Sequence, residues 1–385
     1  MAPQTATAKD LLGLLVAFDT TSAKTNIPMA EFIRDYLSSH GVESHMVPAE
    51  NGIHTSLFAT IGPEDLPGIG LSGHMDVVPV ADQAWDSDPF TMVERDGRLY
   101  GRGTCDMKGY LACVLAAVPL FKRAKLAVPI HIVFSYDEEV GCTGVRPMIG
   151  EFGTRLPKPR LMFVGEPTSM TVVDAHKGGA RFRIDITGHP VHSSKAPLGV
   201  NAATVATELL VELHQMAADL KAMPNNPRFD PPWHTLTVTQ VHGGTSSNIV
   251  PGSSWIGWEI RAMPGFDLTP WVTRIEAAAA KLVPAMRAVA PEAGIVVRQT
   301  GNVPPFGAEA GSEVVTLCQK IAGHNDTHAV PYGTEAGLFQ MGGVPAVVCG
   351  PGDIAQAHTA NEWIDVKELD RCMGFLERLT DWARG

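Results

Sequence analysis

The stretch GIGLSGHMD, residues 68–76, decides the fold class of this chain. Its first six residues are apolar or small, which is typical of a buried strand, and His74 and Asp76 follow at once. Two further runs of the same form, PIHIVFSY (129–136) and RLMFVG (160–165), are also followed directly by acidic residues. Helix-like segments lie between these runs. The alternation predicts a layered α/β domain with a mostly parallel central sheet.

The pattern of predicted strands and helices changes at about residue 180, and the earlier α/β pattern returns at about residue 301. Between these points the predicted order is a strand, a helix at about 200–220, two strands, a helix at 271–287 and a last strand. This β-α-β-β-α-β order is of the ferredoxin-like kind. A chain of 385 residues also exceeds what one hydrophobic core usually organises. We therefore expect one domain made of residues 1–179 and 302–385, and an inserted α+β domain at 180–301.

Composition and charge exclude several classes of partner. The net charge is −11 with no stripe of Lys and Arg, so phosphate backbones and anionic lipid would repel the chain. The apolar stretch near the N-terminus is short, ends at Asp19 and follows no basic cluster, which favours an amphipathic helix over a targeting segment. The six cysteines form no C-x-x-C pair, which favours reduced thiols. We expect a soluble cytoplasmic protein without nucleic-acid or membrane partners.

Charged residues directly after predicted strands are the first functional candidates, because open α/β sheets bind ligands beyond the carboxyl ends of their strands. The candidates are His74, Asp76, Asp106, Asp137, Glu138, Glu139, Glu166 and, from the far end of the chain, His358. Two imidazoles with three carboxylates make a mixed N/O ligand set that suits zinc, with cobalt or manganese as substitutes. Three carboxylates and a bridging hydroxide would balance the charge of two Zn²⁺ ions. The sequence thus indicates a buried two-metal site.

Asp76 and the adjacent pair Glu138 and Glu139 have more specific interpretations. A metal-bound imidazole usually donates its other N–H to a carboxylate, so Asp76 is assigned to orienting His74, with a simple turn aspartate as the alternative. Glu138 and Glu139 are adjacent and cannot easily serve one metal in the same way. One of them can bind metal while the other faces the bridging water as general base.

Other enzyme classes lack their motifs in this sequence. The nucleophile elbow G-x-S-x-G of serine hydrolases is absent, as is the H-E-x-x-H of single-zinc proteases. Gly101-Arg102-Gly103 is only a fragment of a dinucleotide fingerprint, which argues against a Rossmann dehydrogenase. A binding protein that had lost its metals would keep the same fold. The complete set of candidate ligands and base argues against that reading.

Five motifs carry a resemblance to a known family: SGHMDVVP, YGRGTCDMKG, SYDEEVGCTG, VGEPTSM and GPGDIAQAHTANEW. They closely resemble those of the dizinc aminoacylases, acetylornithine deacetylases, succinyl-diaminopimelate desuccinylases and glutamate carboxypeptidases, over almost the whole chain. Within that family, GEPT with AHKGG, YGTEAG and GPGDIAQAH are most similar to acetylornithine deacetylases. The resemblance implies a zinc-peptidase-like catalytic domain, a lid domain that pairs two chains into a homodimer, and release of acetate from N-acetyl-L-ornithine in arginine biosynthesis. Desuccinylase, general N-acyl amino acid deacylase and dipeptidase activities use the same metal core and remain open.

The resemblance also implies roles for the metal-site candidates. The implied ligands are His74 and Glu166 on one zinc, Glu139 and His358 on the other, and Asp106 as the bridge. Glu138 is implied as the base that activates water and then protonates the leaving amine. The peptide between Asp106 and Met107 is implied to be cis.

Four further residues are implied to contact the substrate. His192, in GHPVHSSKAP, resembles a histidine that reaches into the partner's active site, with an exposed loop residue as the alternative. Asn248 and Arg261 match positions associated with the substrate carboxylate, which the fork of an arginine suits; a salt-bridged surface arginine is the alternative. Glu335, in YGTEAGLF, would pair with a cationic amine near the end of the cleft, or would simply favour a helix N-terminus. Lys177, at the predicted hinge, receives no role.

Overall fold

The structure, a computed structural model, describes residues 6–385, so the first five residues of the predicted first domain lie outside the described part. The described chain forms two compact units. The first contains the residues up to Ala175 together with Gly307–His328 and Thr334–Gly385. The second contains His176–Phe306 and Ala329–Gly333.

The helices and strands of the described residues are named in chain order. The α-helices are α1 Ala8–Val16, α2 Ile27–Ser39, α3 Gly109–Arg123, α4 Val145–Glu151, α5 Ala202–Ala222, α6 Thr269–Val289, α7 Glu313–Ala322, α8 Ala336–Met341 and α9 Val366–Ala383. The strands are β1 Ser44–Pro48, β2 Thr55–Ile61, β3 Ile69–His74, β4 Val93–Arg95, β5 Arg98–Tyr100, β6 Ile130–Ser135, β7 Leu161–Pro167, β8 Val172–His176, β9 Gly178–Thr187, β10 Thr235–Gly243, β11 Ser253–Ala262, β12 Gly294–Val303, β13 Phe306–Gly307, β14 Thr327–Val330, β15 Ala346–Gly350 and β16 Trp363–Asp365.

The first unit is built on a nine-stranded sheet of order β1-β2-β6-β3-β7-β15-β8-β13, with β14 also paired to β8. The four middle strands, β6, β3, β7 and β15, run parallel, whereas β1, β2 and β8 pair antiparallel beside them. This confirms the predicted α/β architecture. The three predicted runs at 68–73, 129–136 and 160–165 are strands β3, β6 and β7.

Helix α3 lies in the core of the first unit, where it packs against α1 and α9. It is one of the helix-like segments between the predicted strands, and most of its residues are buried. Thr104–Arg123, which includes α3, is also the one described segment long and apolar enough to cross a membrane. Because 83% of its apolar window is buried inside the protein, packing in the core accounts for that composition.

The second unit is a four-stranded antiparallel sheet of order β10-β11-β9-β12. Its chain order, β9-α5-β10-β11-α6-β12, is the ferredoxin-like order expected from the sequence. Ile184 and Trp258 of the sheet share a buried core with Leu213 of α5 and Ile275 of α6.

The edges of the second unit differ slightly from the predicted 180–301. Its first strand, β9, already begins at Gly178, and β12 runs on to Val303. Residues Ala329–Gly333 also belong to this unit, where the Lys177 N–H donates to the Val330 carbonyl at 3.1 Å. Such a return contact between distant segments leaves no local pattern in the sequence.

A small three-stranded sheet of order β16-β5-β4 has no counterpart in the sequence analysis. In it Trp363 pairs antiparallel with Tyr100. The segment that follows β5 and the segment that precedes β16 therefore leave the sheet at the same end. This places residues 101–106 beside residues 358–362.

Candidate metal centre

The predicted ligands meet at the carboxyl ends of the parallel strands in the first unit. His74 is the last residue of β3, and Glu166 lies near the end of β7. Glu138 and Glu139 follow β6 directly, and His358 comes from the loop after β15. Since neighbouring parallel strands end at one edge of the sheet, residues more than 60 positions apart become neighbours.

Asp106 lies between the two histidines. Its Oδ1 is 3.0 Å from Nε2 of His74, and its Oδ2 is 3.1 Å from Nε2 of His358. Burial alone would raise the pKa of this carboxyl, but the contacts with His358 and His74 outweigh it and the pKa falls below its ordinary value. A carboxylate whose two oxygens face two different ligands can bridge two cations.

The remaining donors divide into two groups. Ligand atoms of His74, Glu138 and Glu166 lie within 4.8 Å of one another, as do those of His74, Asp106 and Glu139. Both carboxylate oxygens of Glu139 also lie 3.0 to 3.1 Å from His358 Nε2. The two groups share His74, and each brings three donor atoms close enough together to hold a cation.

The positive charge in this cluster is too small to balance its buried carboxylates. Burial raises the pKa of Glu138 to about 8 and, with the nearby Asp106, that of Glu139 to about 7. Burial also raises the pKa of Glu166 well above its ordinary value, and Glu166 Oε1 is buried without a hydrogen-bond partner. Divalent cations would neutralise these carboxylates and supply the missing partner, so the residues fit a dinuclear metal site.

Asp76 connects His74 to the two glutamates. His74 Nδ1 lies 2.9 Å from the backbone carbonyl of Asp76 and 3.5 Å from its Oδ1, and the carboxylate accepts the N–H groups of Glu138 at 3.1 Å and Glu139 at 3.3 Å. The Ser22 hydroxyl donates to it at 2.7 Å. Burial would raise the pKa of Asp76, but the contact with His74 outweighs it and the pKa is lowered.

The contacts of two further buried groups, Cys142 and Glu335, were not predicted from the sequence. The Cys142 thiol donates to Glu138 Oε1 at 3.1 Å. Glu335, immediately before α8, is buried; Ser72 donates to its Oε2 at 3.2 Å, and its Oε1 has no hydrogen-bond partner. Burial raises the pKa of Glu335 to about 7. No local motif marks these contacts because each depends on side chains from separate strands and loops.

The other three predicted substrate contacts belong to the second unit. His192 is exposed and its Nδ1 lies 2.8 Å from the Ser194 hydroxyl. The N–H of Ser193 donates to the Asn248 carbonyl at 2.9 Å, so the His192 and Asn248 loops are neighbours. Arg261 donates from Nε to Glu259 at 3.2 Å, which is the salt-bridged arrangement named as its alternative. The donor groups and ion pairs around Asp106 in the first unit include none of these three side chains.

Three smaller expectations also have an outcome. The peptide bond between Asp106 and Met107 is cis, as the resemblance implied. All six cysteines are free and buried. Lys177 is buried, and its ammonium donates to the carbonyls of Pro231 at 2.7 Å and Trp233 at 2.6 Å, which ties the loop before β10 to the start of β9.

Comparison with known proteins identifies the family of this chain. A family profile described as "Peptidase family M20/M25/M40" matches residues 70–381. Proteins named acetylornithine deacetylase are 33% identical in Myxococcus xanthus, over 94% of both chains, and 31% identical in Pasteurella multocida (strain Pm70), over 92% of this chain and 91% of that one.

Solved structures share the fold. An M20 family metallo-carboxypeptidase from Sulfolobus solfataricus superposes with a TM-score of 0.78 at 19% identity, over 98% of this chain and 99% of that one. A Bacillus subtilis protein described as a dinuclear metal binding peptidase from the M20 family has a TM-score of 0.64 at 17% identity, over 98% of both chains.

Proposed function

The chain belongs to the peptidase family M20/M25/M40 and is a hydrolase of that family, and we propose that it is a dizinc amidohydrolase that releases acetate from N-acetyl-L-ornithine. The observation that carries the reaction type is the placement of Asp106 between His74 and His358. The choice of substrate is supported by relatives that bear the name acetylornithine deacetylase at 31–33% identity over nine tenths of the chain.

Five side chains would hold the two metal ions. We assign His74 and Glu166, 3.9 Å apart, to one ion, Glu139 and His358, 3.0 Å apart, to the other, and Asp106, which contacts both histidines, to both. Zinc is the proposed metal because the set combines imidazole nitrogen with carboxylate oxygen. When bound, the ions would polarise the substrate carbonyl and lower the pKa of water.

Glu138 is the proposed general base. Its carboxylate lies beside His74 and Glu166, and its backbone N–H is held by Asp76. It would take a proton from the attacking water and give it to the nitrogen as the amide C–N bond breaks, so that water and amide become acetate and amine.

The substrate's charged groups need partners of opposite charge. We propose that the buried Glu335, whose Oε1 lacks a partner, receives the side-chain ammonium of the substrate. Asn248 and Arg261 are the proposed partners of its carboxylate, and His192 of the developing oxyanion. We also propose that the protein is a cytoplasmic homodimer whose two chains pair through the second unit.

A comparison of kcat/KM over a panel of substrates tests the proposal directly. The zinc-loaded protein should show its highest kcat/KM with N-acetyl-L-ornithine in a panel that also contains N-succinyl-diaminopimelate, other N-acetyl amino acids and dipeptides. A preference for the succinyl substrate or for dipeptides would keep the family chemistry and reject the acetylornithine assignment. Hydrolysis without bound metal would reject the mechanism.

A further inference from the structure

The loop that carries Asp106 lacks regular structure to satisfy its buried N–H groups. Gly103 adopts a positive φ of 80°, and a Cβ there would lie 2.7 Å from Val77 Cγ1, so only glycine fits without displacement. Asp106 and Met107 have extended φ values of −119° and −135°, which interrupt any helix. Buried N–H groups in such a loop must find partners elsewhere.

Glu362 supplies those partners. Its Oε1 accepts the N–H groups of Cys105 at 2.9 Å and Asp106 at 3.0 Å. Its Oε2 accepts the N–H of Gly103 at 3.0 Å and Nη1 of Arg102 at 2.7 Å. A carboxylate has about four acceptor positions. Glu362, which is fully buried, uses all of them on the loop that carries Asp106.

Arg102 extends this network to the other metal-site loop. The guanidinium is buried and also donates to the Thr359 carbonyl at 3.3 Å and to the Gln83 side-chain oxygen. The Gln83 amide nitrogen in turn donates to the His358 carbonyl at 2.9 Å. A continuous series of hydrogen bonds therefore joins the N–H of Asp106 to the backbone of His358.

The backbone supports the same arrangement. Tyr100 and Trp363 are paired in the small sheet, and the N–H of Gly101 donates to the Glu362 carbonyl at 2.9 Å. The loop that carries Asp106 and the loop that carries His358 are therefore joined at the end of the small sheet. This backbone pairing does not by itself determine where each loop places its metal ligand. The Glu362 and Arg102 side chains lie between the two loops and contact both.

We propose that Glu362, paired with Arg102, is a positioning residue that sets Asp106 directly and His358 through Gln83 in the arrangement that binds the metal ions. A buried ion pair alone is weak grounds for a stability role, because desolvation offsets much of the attraction. Groups that orient metal ligands, in contrast, strongly affect metal affinity. The inference rests on the metal-dependent function proposed above.

The test replaces one oxygen without changing the side chain's shape. Glu362→Gln places an amide NH₂ against N–H donors that now meet an acceptor. The matched control is Glu313→Gln, which removes a carboxylate from a half-exposed ion pair with Arg160 in the same unit. Metal-stripped full-length proteins are titrated with Zn²⁺ or Co²⁺ against a chromophoric chelator, and the thermal midpoint of each metal-free protein is measured alongside.

We expect Glu362→Gln to bind metal about 10- to 100-fold more weakly and to change the visible absorption of bound Co²⁺, with Glu313→Gln at the wild-type value. A lowered thermal midpoint with wild-type metal affinity and an unchanged cobalt spectrum would overturn the proposal, since that is what a purely structural ion pair would show. If wild type itself fails to bind two ions, the proposed function fails instead.

Gln83→Ala keeps the proposal testable should Glu362→Gln not fold. Gln83 is only partly buried, and its removal cuts the link to His358 while leaving all contacts of Glu362 in place. We expect weaker binding of one of the two ions and little change in the other. Equal affinity of both ions to wild type would reject the link through Gln83.

Discussion

At the scale of single residues, the neighbouring glutamates Glu138 and Glu139 have different surroundings in the cluster. Both have a raised pKa because burial disfavours the carboxylate. Their surroundings differ, since Glu139 faces His358 at 3.0 Å whereas Glu138 accepts the Cys142 thiol. Adjacent positions in the sequence thus lead to separate positions in the cluster.

We predict that Glu138→Ala lowers kcat about 10²- to 10⁴-fold while zinc content stays near two per chain, because it removes the base and no ligand. Glu139→Ala is the control and should lower zinc content as well as activity. Both are measured on protein purified without chelator. Loss of zinc from Glu138→Ala would identify Glu138 as a ligand, a role that its proximity to His74 and Glu166 allows.

At the scale of secondary structure, strand β6 carries a buried histidine that makes the fold sensitive to acid. His131 is fully buried, its Nδ1 lies 3.0 Å from the Thr60 hydroxyl, and its ring stacks on Phe58. Burial lowers the pKa of His131 to about 4. In the unfolded chain the pKa of a histidine is about 6.5.

Between these two values the unfolded chain binds more protons than the folded one, so acid favours unfolding. We predict that the free energy of unfolding of metal-free wild type falls from pH 7.5 to pH 5 by roughly 2 kcal/mol more than that of His131→Leu. Urea unfolding at both pH values measures the difference. Other titrating groups are common to the two proteins, so an equal fall would show that His131 contributes nothing.

At the scale of the whole molecule, the proposed homodimer would make the function depend on two chains. His192 lies in an exposed loop of the second unit, and the proposal assigns it to the active site of the partner chain. A residue that completes a site in trans can be tested without knowing the geometry of the pair.

Mixing His192→Ala protein with Glu138→Ala protein should restore activity, because one of the hybrid's two sites then has both an intact base and an intact partner histidine. Random exchange of subunits would yield up to about a quarter of wild-type activity. Subunit exchange is confirmed by mass spectrometry of the mixed dimers. No recovery after exchange would mean that His192 acts in its own chain or not at all, and a fully active monomer would reject the shared site.

The sequence by itself determined the chemistry-bearing residues and the class of fold. Apolar runs followed by His74, Glu139 and Glu166 predicted parallel strands with ligands at one edge, because a strand's position in the chain and the polarity after it are local properties. The ferredoxin-like order of the second unit was predicted for the same reason.

Only the tertiary structure decided which side chains support those ligands. Glu362, Arg102 and Gln83 stand in different parts of the sequence, and nothing local marks a carboxylate that accepts three backbone N–H groups from a loop over 250 residues away. The pairing of Tyr100 with Trp363 likewise depends on how the chain returns to itself. Such contacts depend on packing between distant segments, which a local pattern does not encode.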